Sequence, residues 1–251
     1  MRTIIQDLGK YNNNHIWIKR EDLIPFSFGG NKARKAQLFF QEIDKGDYCC
    51  VVTYGSRSSN HCRVVANECC KRGMPCYIIS PVEVSERTFN SQMMELFDAE
   101  ILTVPVFNLH DTIKEKIAEL KKAGKSPYFI EGGGHGTIGT EAYVQCYQEI
   151  KEYEVEQNIH FDYIFFASGT GTTQAGLVCG QLLNGDKRKI VGISIARKNS
   201  IGRDIVLDSI RLYLQDKVKE EPIQTATIFI DDYTSGYGIK DEKVEETIEY
   251  I

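Results

Sequence analysis

The sequence predicts an α/β protein with mainly parallel sheets flanked by helices. Short apolar runs rich in β-branched and aromatic residues alternate with segments of helical spacing almost to the end of the chain. Alternation of that kind builds parallel sheets covered by helices. Three loops rich in Gly, Ser, Thr and Asn sit among these segments, and such loops, at the carboxyl ends of strands, are where α/β folds bind ligands.

In chain order, strands are expected at IWIKR, YCCVVTYG, CYIIS, EILTVPV, PYFIE, YIFFAS, IVGISIA and TATIFID, each bounded by Gly, Pro, Asn, Asp or Ser. Helices are expected at KARKAQLFFQE, NHCRVVANECCKRG and TQAGLVCGQLL. In 111–123 the apolar residues Ile113, Ile117, Leu120 and Ala123 recur three or four apart, and in 140–157 so do Tyr143, Cys146, Tyr147 and Ile150. The acidic end, DEKVEETIEYI, reads as a helix opened by Asp241 or Glu242.

Composition narrows the function. With 251 residues, 42% hydrophobic and 26% charged, the chain can bury a substantial core in one or two domains, which sets disorder and fibre aside. A net charge of −5 offers no long-range attraction to nucleic acid or an anionic membrane. No apolar run approaches the roughly 20 residues that span a bilayer, and the N-terminus lacks a signal-peptide core. None of the eight cysteines has CxxC or Cys/His ligand spacing, so no metal is expected. Buried thiols in a reducing cytoplasm are the reading they support.

ASGTGTTQAG lies between an apolar strand and a helix. Gly169 and Gly171 let backbone N–H groups approach an anion, and Thr170, Thr172 and Thr173 add hydroxyl donors. The helix N-terminus adds partial positive charge. The loop lacks a Walker Gly-Lys-Thr, and Gln174 stands where a third Gly of GxGxxG would be. A single phosphate therefore suits it better than a nucleotide, and plain turn chemistry is the alternative.

SFGGNKARK sets Lys32 after Gly29 and Gly30, at a helix start. It is either a solvated first-turn lysine or an amine beside space cleared for a planar cofactor. In a sheltered, electropositive place it would shed its proton and form a Schiff base. Arg34 and Lys35 are expected to depress its pKa and to reach a phosphate. YGSRSSNHCR puts Ser58, Ser59, Asn60 and His61 at another helix head. Capping is the default explanation there, and a substrate carboxylate on the same N–H groups is the sharper one.

KREDLIPFSFGGNKARK, SSNHCR and ASGTGTTQAG, in this order and spacing, resemble the family of 1-aminocyclopropane-1-carboxylate deaminase and D-cysteine desulfhydrase, from about Trp17 to Gly238. The resemblance implies pyridoxal phosphate as cofactor and the tryptophan-synthase β-like fold. It implies a large domain of 1–35 and 147–251 with a small domain, 36–146, inserted. Lys32 matches the Schiff-base lysine that also moves protons at the substrate α-carbon. Asn60 matches the residue beside the ring hydroxyl, and Ser59 its catalytic, substrate-facing neighbour. Gly169, Thr170, Gly171, Thr172 and Thr173 match the phosphate cup, with Lys35 adding a cation. His61 resembles the desulfhydrase branch, and His135, in GGGHGTIGTEAY, is a candidate substrate contact.

The reaction so implied is elimination or ring opening on a small amino acid, yielding a keto acid and ammonia. β-Replacement, racemisation or a cofactor-binding pseudoenzyme are the alternatives. DDYTSGYGIKDE resembles a family segment that precedes a further helix, strand and VYTGK-like turn; that turn supplies a tyrosine and the partner of the pyridine nitrogen. Tyr233-Thr234-Ser235-Gly236 is the alternative match to that turn, which makes Tyr233 a candidate catalytic residue, while Tyr237-Gly238 favours the first alignment. On the first alignment the chain stops at Ile251, short of the turn. A homodimer partner or a complementing second chain is then expected.

Overall fold

The computed structural model describes residues 1–82, 88–234, 236 and 242–250, without the side chains of 243 and 250. Ser235, Tyr237-Gly238, Asp241 and Ile251 lie outside the described residues. The chain divides into two compact units, Met1–Gly139 and Thr140–Ile251.

The first unit opens with an antiparallel hairpin, β1 (Ile5–Tyr11) and β2 (Asn14–Lys19). Its turn residues Asn12 and Asn13 both take positive φ, which asparagine tolerates better than most residues. Only β2 is among the sequence-predicted strands, because polar residues dilute the apolar signal of β1. Helix α1 (Gly30–Ile43) follows. It buries Ala33, Ala36, Phe39, Phe40 and Ile43, the three- and four-residue spacing of one face.

A four-stranded parallel sheet comes next, with strands β3 (Cys50–Tyr54), β4 (Cys76–Pro81), β5 (Glu100–Val104) and β6 (Pro127–Ile130) in the order β5-β4-β3-β6. Alternation decides which face each residue meets. Val51, Ile78, Tyr128 and Ile130 pack with α1 and with α2 (Asn60–Lys71) and α3 (Phe89–Leu96). Cys50, Val52 and Tyr77 pack with Leu120 of α4 (Leu109–Lys122). Both faces are thus covered, as parallel sheets require.

Residues 1–35 belong to this first unit, whereas the sequence reading groups them with 147–251. Arg34 of α1 donates to Glu21 (Nε–Oε2 2.5 Å, Nη2–Oε1 2.8 Å) and to the Met1 carbonyl, and α1 packs on α2. The Arg34 bonds tie residues 1–35 to one another, and the α1–α2 packing joins them to the sheet of this unit.

The second unit holds α5 (Thr137–Gln157) from Thr140 onward and a parallel sheet of β7 (Tyr163–Ser168), β8 (Lys189–Ser194) and β9 (Ile228–Ile230) in that order. Helices α6 (Thr172–Leu183), α7 (Ile201–Leu214) and α8 (Glu220–Ala226) accompany it, with α9 (Glu242–Tyr250) last. The expected strand TATIFID is cut to three residues because Thr225 and Ala226 finish α8. A Cβ on Gly176 would lie 2.4 Å from the Thr140 carbonyl and from Tyr143 Cβ, and one on Gly180 2.5 Å from Tyr147 Cβ. Two glycines four apart on α6 therefore form the groove that admits α5's tyrosines. All eight cysteines are free thiols, with Cys49 and Cys70 exposed and the others buried.

Candidate active site

Lys32 sits at the start of α1 after an unusual approach. Ser27, Phe28, Gly29 and Gly30 all have positive φ, from 46° to 84°. Two of the four are not glycine, and each such residue costs on the order of 1–2 kcal/mol. At Gly29 a Cβ would stand 2.3 Å from the Asp22 carbonyl, so only glycine fits. At Gly30 a Cβ would meet nothing within 4 Å, so its Cα borders open space. The expectation that glycine clears room beside Lys32 thus rests on Gly30, while Gly29 serves close packing.

Lys32 Nζ donates to the Gly133 carbonyl at 3.0 Å. This contact brings the loop GGGHGTIG against α1, and His135 lies half-buried in that loop. Gly134 is pressed against the stem of Lys35, where a Cβ would come within 3.3 Å of Cδ. Lys35 is 1% exposed, and its Nζ has no hydrogen-bond partner among the described residues. Burial, and then the positive charge of Lys32, push its pKa well below the ordinary lysine value.

Arg34 does not share this role. Its guanidinium is committed to Glu21 in a bidentate pair, which corrects the expectation that it could reach a phosphate beside Lys32. Burial opposes ionisation of Glu21, but Arg34 prevails and holds the carboxyl below its usual range.

Strands β3 and β6 are parallel neighbours, so the loops leaving their carboxyl ends, 55–59 and 131–136, start side by side. Ser59 Oγ accepts from Cys62 N at 3.2 Å and caps α2. Asn60, first in the helix, is exposed. His61 is 4% exposed, and its Nε2 lies 2.9 Å from Thr53 Oγ1. Thr53 donates its own proton to the Ile130 carbonyl at 2.8 Å. The threonine oxygen can then only accept from the ring, so His61 carries its proton on Nε2 and keeps Nδ1 as an acceptor. Burial, then Lys32 and Lys35, push its pKa well below the ordinary value, consistent with a neutral ring.

In the second unit, Gly171 caps α6 in the left-handed conformation (φ 92°), which suits glycine. Gly169 and Thr170 are half-buried, whereas Gly171, Thr172 and Thr173 are buried. The start of a helix carries partial positive charge and favours an anion. Arg197 donates to the Gly169 carbonyl at 3.0 Å, which puts a cation beside this loop. Sequence reasoning missed Arg197, because nothing in IARKNS marks a partner 28 residues earlier. Tyr233 is 65% exposed. The site residues are thus distributed, with Lys32, Lys35, Ser59, Asn60, His61 and His135 in the first unit and 169–173 and Tyr233 in the second.

The donor set suits an aromatic aldehyde that carries a phosphate. The first unit has a primary amine for the aldehyde and, in Lys35, a buried amine without a hydrogen-bond partner among the described residues; the second separately has a glycine-capped helix start suited to phosphate oxygens. The fold is α/β, and each unit by itself carries donors of the kind such a cofactor uses.

Comparison with known proteins makes this specific. Residues 3–251 match the model of the family described as pyridoxal-phosphate dependent enzymes, and the chain belongs to that family. D-cysteine desulfhydrase of Serratia proteamaculans is 30% identical over 247 residues, covering 94% of this chain and 73% of that protein. 1-Aminocyclopropane-1-carboxylate deaminase of Bradyrhizobium diazoefficiens is 29% identical over 269 residues, covering 94% and 74%. The crystal structure of an ACC deaminase homologue superposes with a TM-score of 0.84 at 27% identity, over 100% of this chain and 77% of that one. The fold is therefore the tryptophan-synthase β-like fold expected from sequence. No helix among the described residues is long and apolar enough to cross a membrane.

Proposed function

We propose that this protein is a pyridoxal-phosphate-dependent lyase or deaminase that converts a small amino acid to a keto acid and ammonia. The reading follows its relatives named as D-cysteine desulfhydrase and as 1-aminocyclopropane-1-carboxylate deaminase. The observation that carries it is the Lys32 amine, held on the Gly133 carbonyl, in the same helix as Lys35, whose buried Nζ has no hydrogen-bond partner among the described residues.

When bound, pyridoxal phosphate supplies an electron sink for a bond broken at the α-carbon of the amino acid. The chain's residues do the rest. Lys32 holds the cofactor and carries the proton to and from the α-carbon. Lys35 in the first unit and the N–H and hydroxyl groups of 169–173 in the second are each candidate phosphate ligands. Asn60 donates to the ring hydroxyl. Ser59, whose Oγ accepts from Cys62 N, retains its own O–H for the substrate. His61 offers Nδ1 as an acceptor, His135 is a second substrate contact, and Tyr233 is a further catalytic candidate. We also take the protein to be cytoplasmic and to work as a homodimer or with a complementing second chain, an assembly that sedimentation would read.

Purified protein should absorb in the visible as lysine-bound pyridoxal phosphate does, and Lys32→Ala should remove that band. Persistence of the band in the variant would sink the assignment. Pyruvate and ammonia released from small D- and L-amino acids would then identify the substrate.

A further inference from the structure

Three residues into α2 stands an arginine with no role in the reading above. Arg63 is 8% exposed, and its guanidinium joins three separate segments. Nη1 donates to Asn60 Oδ1 at 2.9 Å and to Asn90 Oδ1 at 2.8 Å. Nη2 donates to the Ser27 carbonyl at 3.0 Å, and Cζ lies 5.1 Å from the centroid of the Phe28 ring. Asn90, the second residue of α3, donates through Nδ2 to Asn60 Oδ1 at 3.1 Å and to the Ser58 carbonyl at 2.6 Å.

Two consequences follow from donor chemistry. A guanidinium can only donate, so the Asn60 atom facing Arg63 has to be the carbonyl oxygen. That oxygen takes two donors, Arg63 Nη1 and Asn90 Nδ2. The amide cannot flip without setting its own N–H groups against both. Asn60 Nδ2, which makes no hydrogen bond among the described residues, is therefore held as the outward group on an exposed side chain. Arg63 also accounts for part of the strained approach to Lys32. The Ser27 carbonyl that it grips and the Phe28 ring that it covers belong to the four-residue run of positive φ. Strain of this kind persists only where neighbours over-determine it.

We propose that Arg63, together with Asn90, is a positioning residue that fixes the Asn60 amide with Nδ2 toward the cofactor ring. It also clamps the Ser27–Gly30 turn from which Lys32 projects. The proposal rests on the reading of Asn60 as the ring-hydroxyl donor, and it names what makes Asn60 a donor rather than an acceptor.

The test is a cycle between protein and ligand. Apo-protein is titrated with pyridoxal phosphate and with its 3-deoxy analogue, which lacks only the ring hydroxyl, and the affinity ratio is read for wild type, Arg63→Lys and Asn90→Ala. A hydrogen bond to a charged oxygen predicts a wild-type preference for pyridoxal phosphate of about tenfold to a hundredfold. In both variants the preference should shrink at least about fivefold, with affinity for the deoxy analogue changing by less than about threefold. A residue that merely stabilised the fold would weaken both ligands alike and leave the ratio intact. That result would overturn the inference while leaving the wild-type reading in place. No preference in wild type would overturn the reading of Asn60 and the inference with it. Should Arg63→Lys fail to fold, Asn90→Ala decides by the same ratio, since it removes only a half-buried amide.

Discussion

Replacing Lys35 with Met should stabilise the cofactor-free protein and weaken its hold on phosphate. Met keeps most of the stem packed against Gly134 and removes an amine that has no hydrogen-bond partner among the described residues. The amine can always escape the burial penalty by losing its proton, so the penalty is bounded. At about 1.4 kcal/mol per pH unit, from pH 7 to the ordinary value of 10.5, the charge-dependent part of that penalty is at most about 5 kcal/mol at pH 7. The folded-state pKa lies below the unfolded one, so the unfolded chain binds more protons between the two values and stability rises with pH across that window. Wild-type apo-protein should therefore gain up to about 1.4 kcal/mol per pH unit there, and Lys35→Met should lack that slope. Urea denaturation at pH 7, 8 and 9 would show the variant's advantage narrowing as pH rises. Titration with pyridoxal phosphate should show a loss of about tenfold to a hundredfold in affinity, the worth of one charge-assisted hydrogen bond. A variant no more stable than wild type at pH 7, with unchanged affinity, would refute the reasoning.

Three further outcomes test the frame around the site. Gly176→Val should destabilise by about 1–3 kcal/mol or more in urea denaturation, because the added atoms meet the Thr140 carbonyl and Tyr143. Thr53→Val should cost about 1–3 kcal/mol, since it strips the buried Nε2 of His61 of its acceptor. Arg188 donates to Glu154 at 2.7 Å and to Asp186 at 2.5 Å, all three nearly buried. Arg188→Met would leave two nearly buried carboxylates sharing Lys151, 3.1 Å from each, as their remaining cation and should cost up to about 3–5 kcal/mol. Burial opposes ionisation of both carboxylates, but Arg188 holds them below their ordinary 4.5 and 3.8. Their contribution is present above those values and is lost as pH falls through the lower folded ones. Acid unfolding of wild type should therefore steepen below about pH 4, and the variant's urea midpoint should change less over the same range.

Much of the fold was legible because its signals are local. All eight sequence-predicted strands form, since their apolar runs are short and bounded by turn residues. What escaped was decided by distant partners. The hairpin strand β1 is paired with β2 but mostly polar, so neither period marks it. Arg34 looked like a cation for phosphate, and only the position of Glu21, thirteen residues earlier, shows it spent on an ion pair. Arg63 and Asn90 are 27 residues apart and meet directly as well as on the shared Asn60 oxygen. The positive φ of Ser27 and Phe28 has no signature in residue type, because neither favours that conformation. Lys32 itself was legible only through motifs in three separate loops.

The central claim, that Lys32 carries the cofactor, is tested most directly by reducing the purified protein with borohydride and mapping the pyridoxyl-modified peptide by mass spectrometry. The modification should fall on Lys32, in the peptide that follows Gly29-Gly30. A pyridoxyl group on Lys35 or any other lysine instead, or none in protein that shows the cofactor band, would contradict the account.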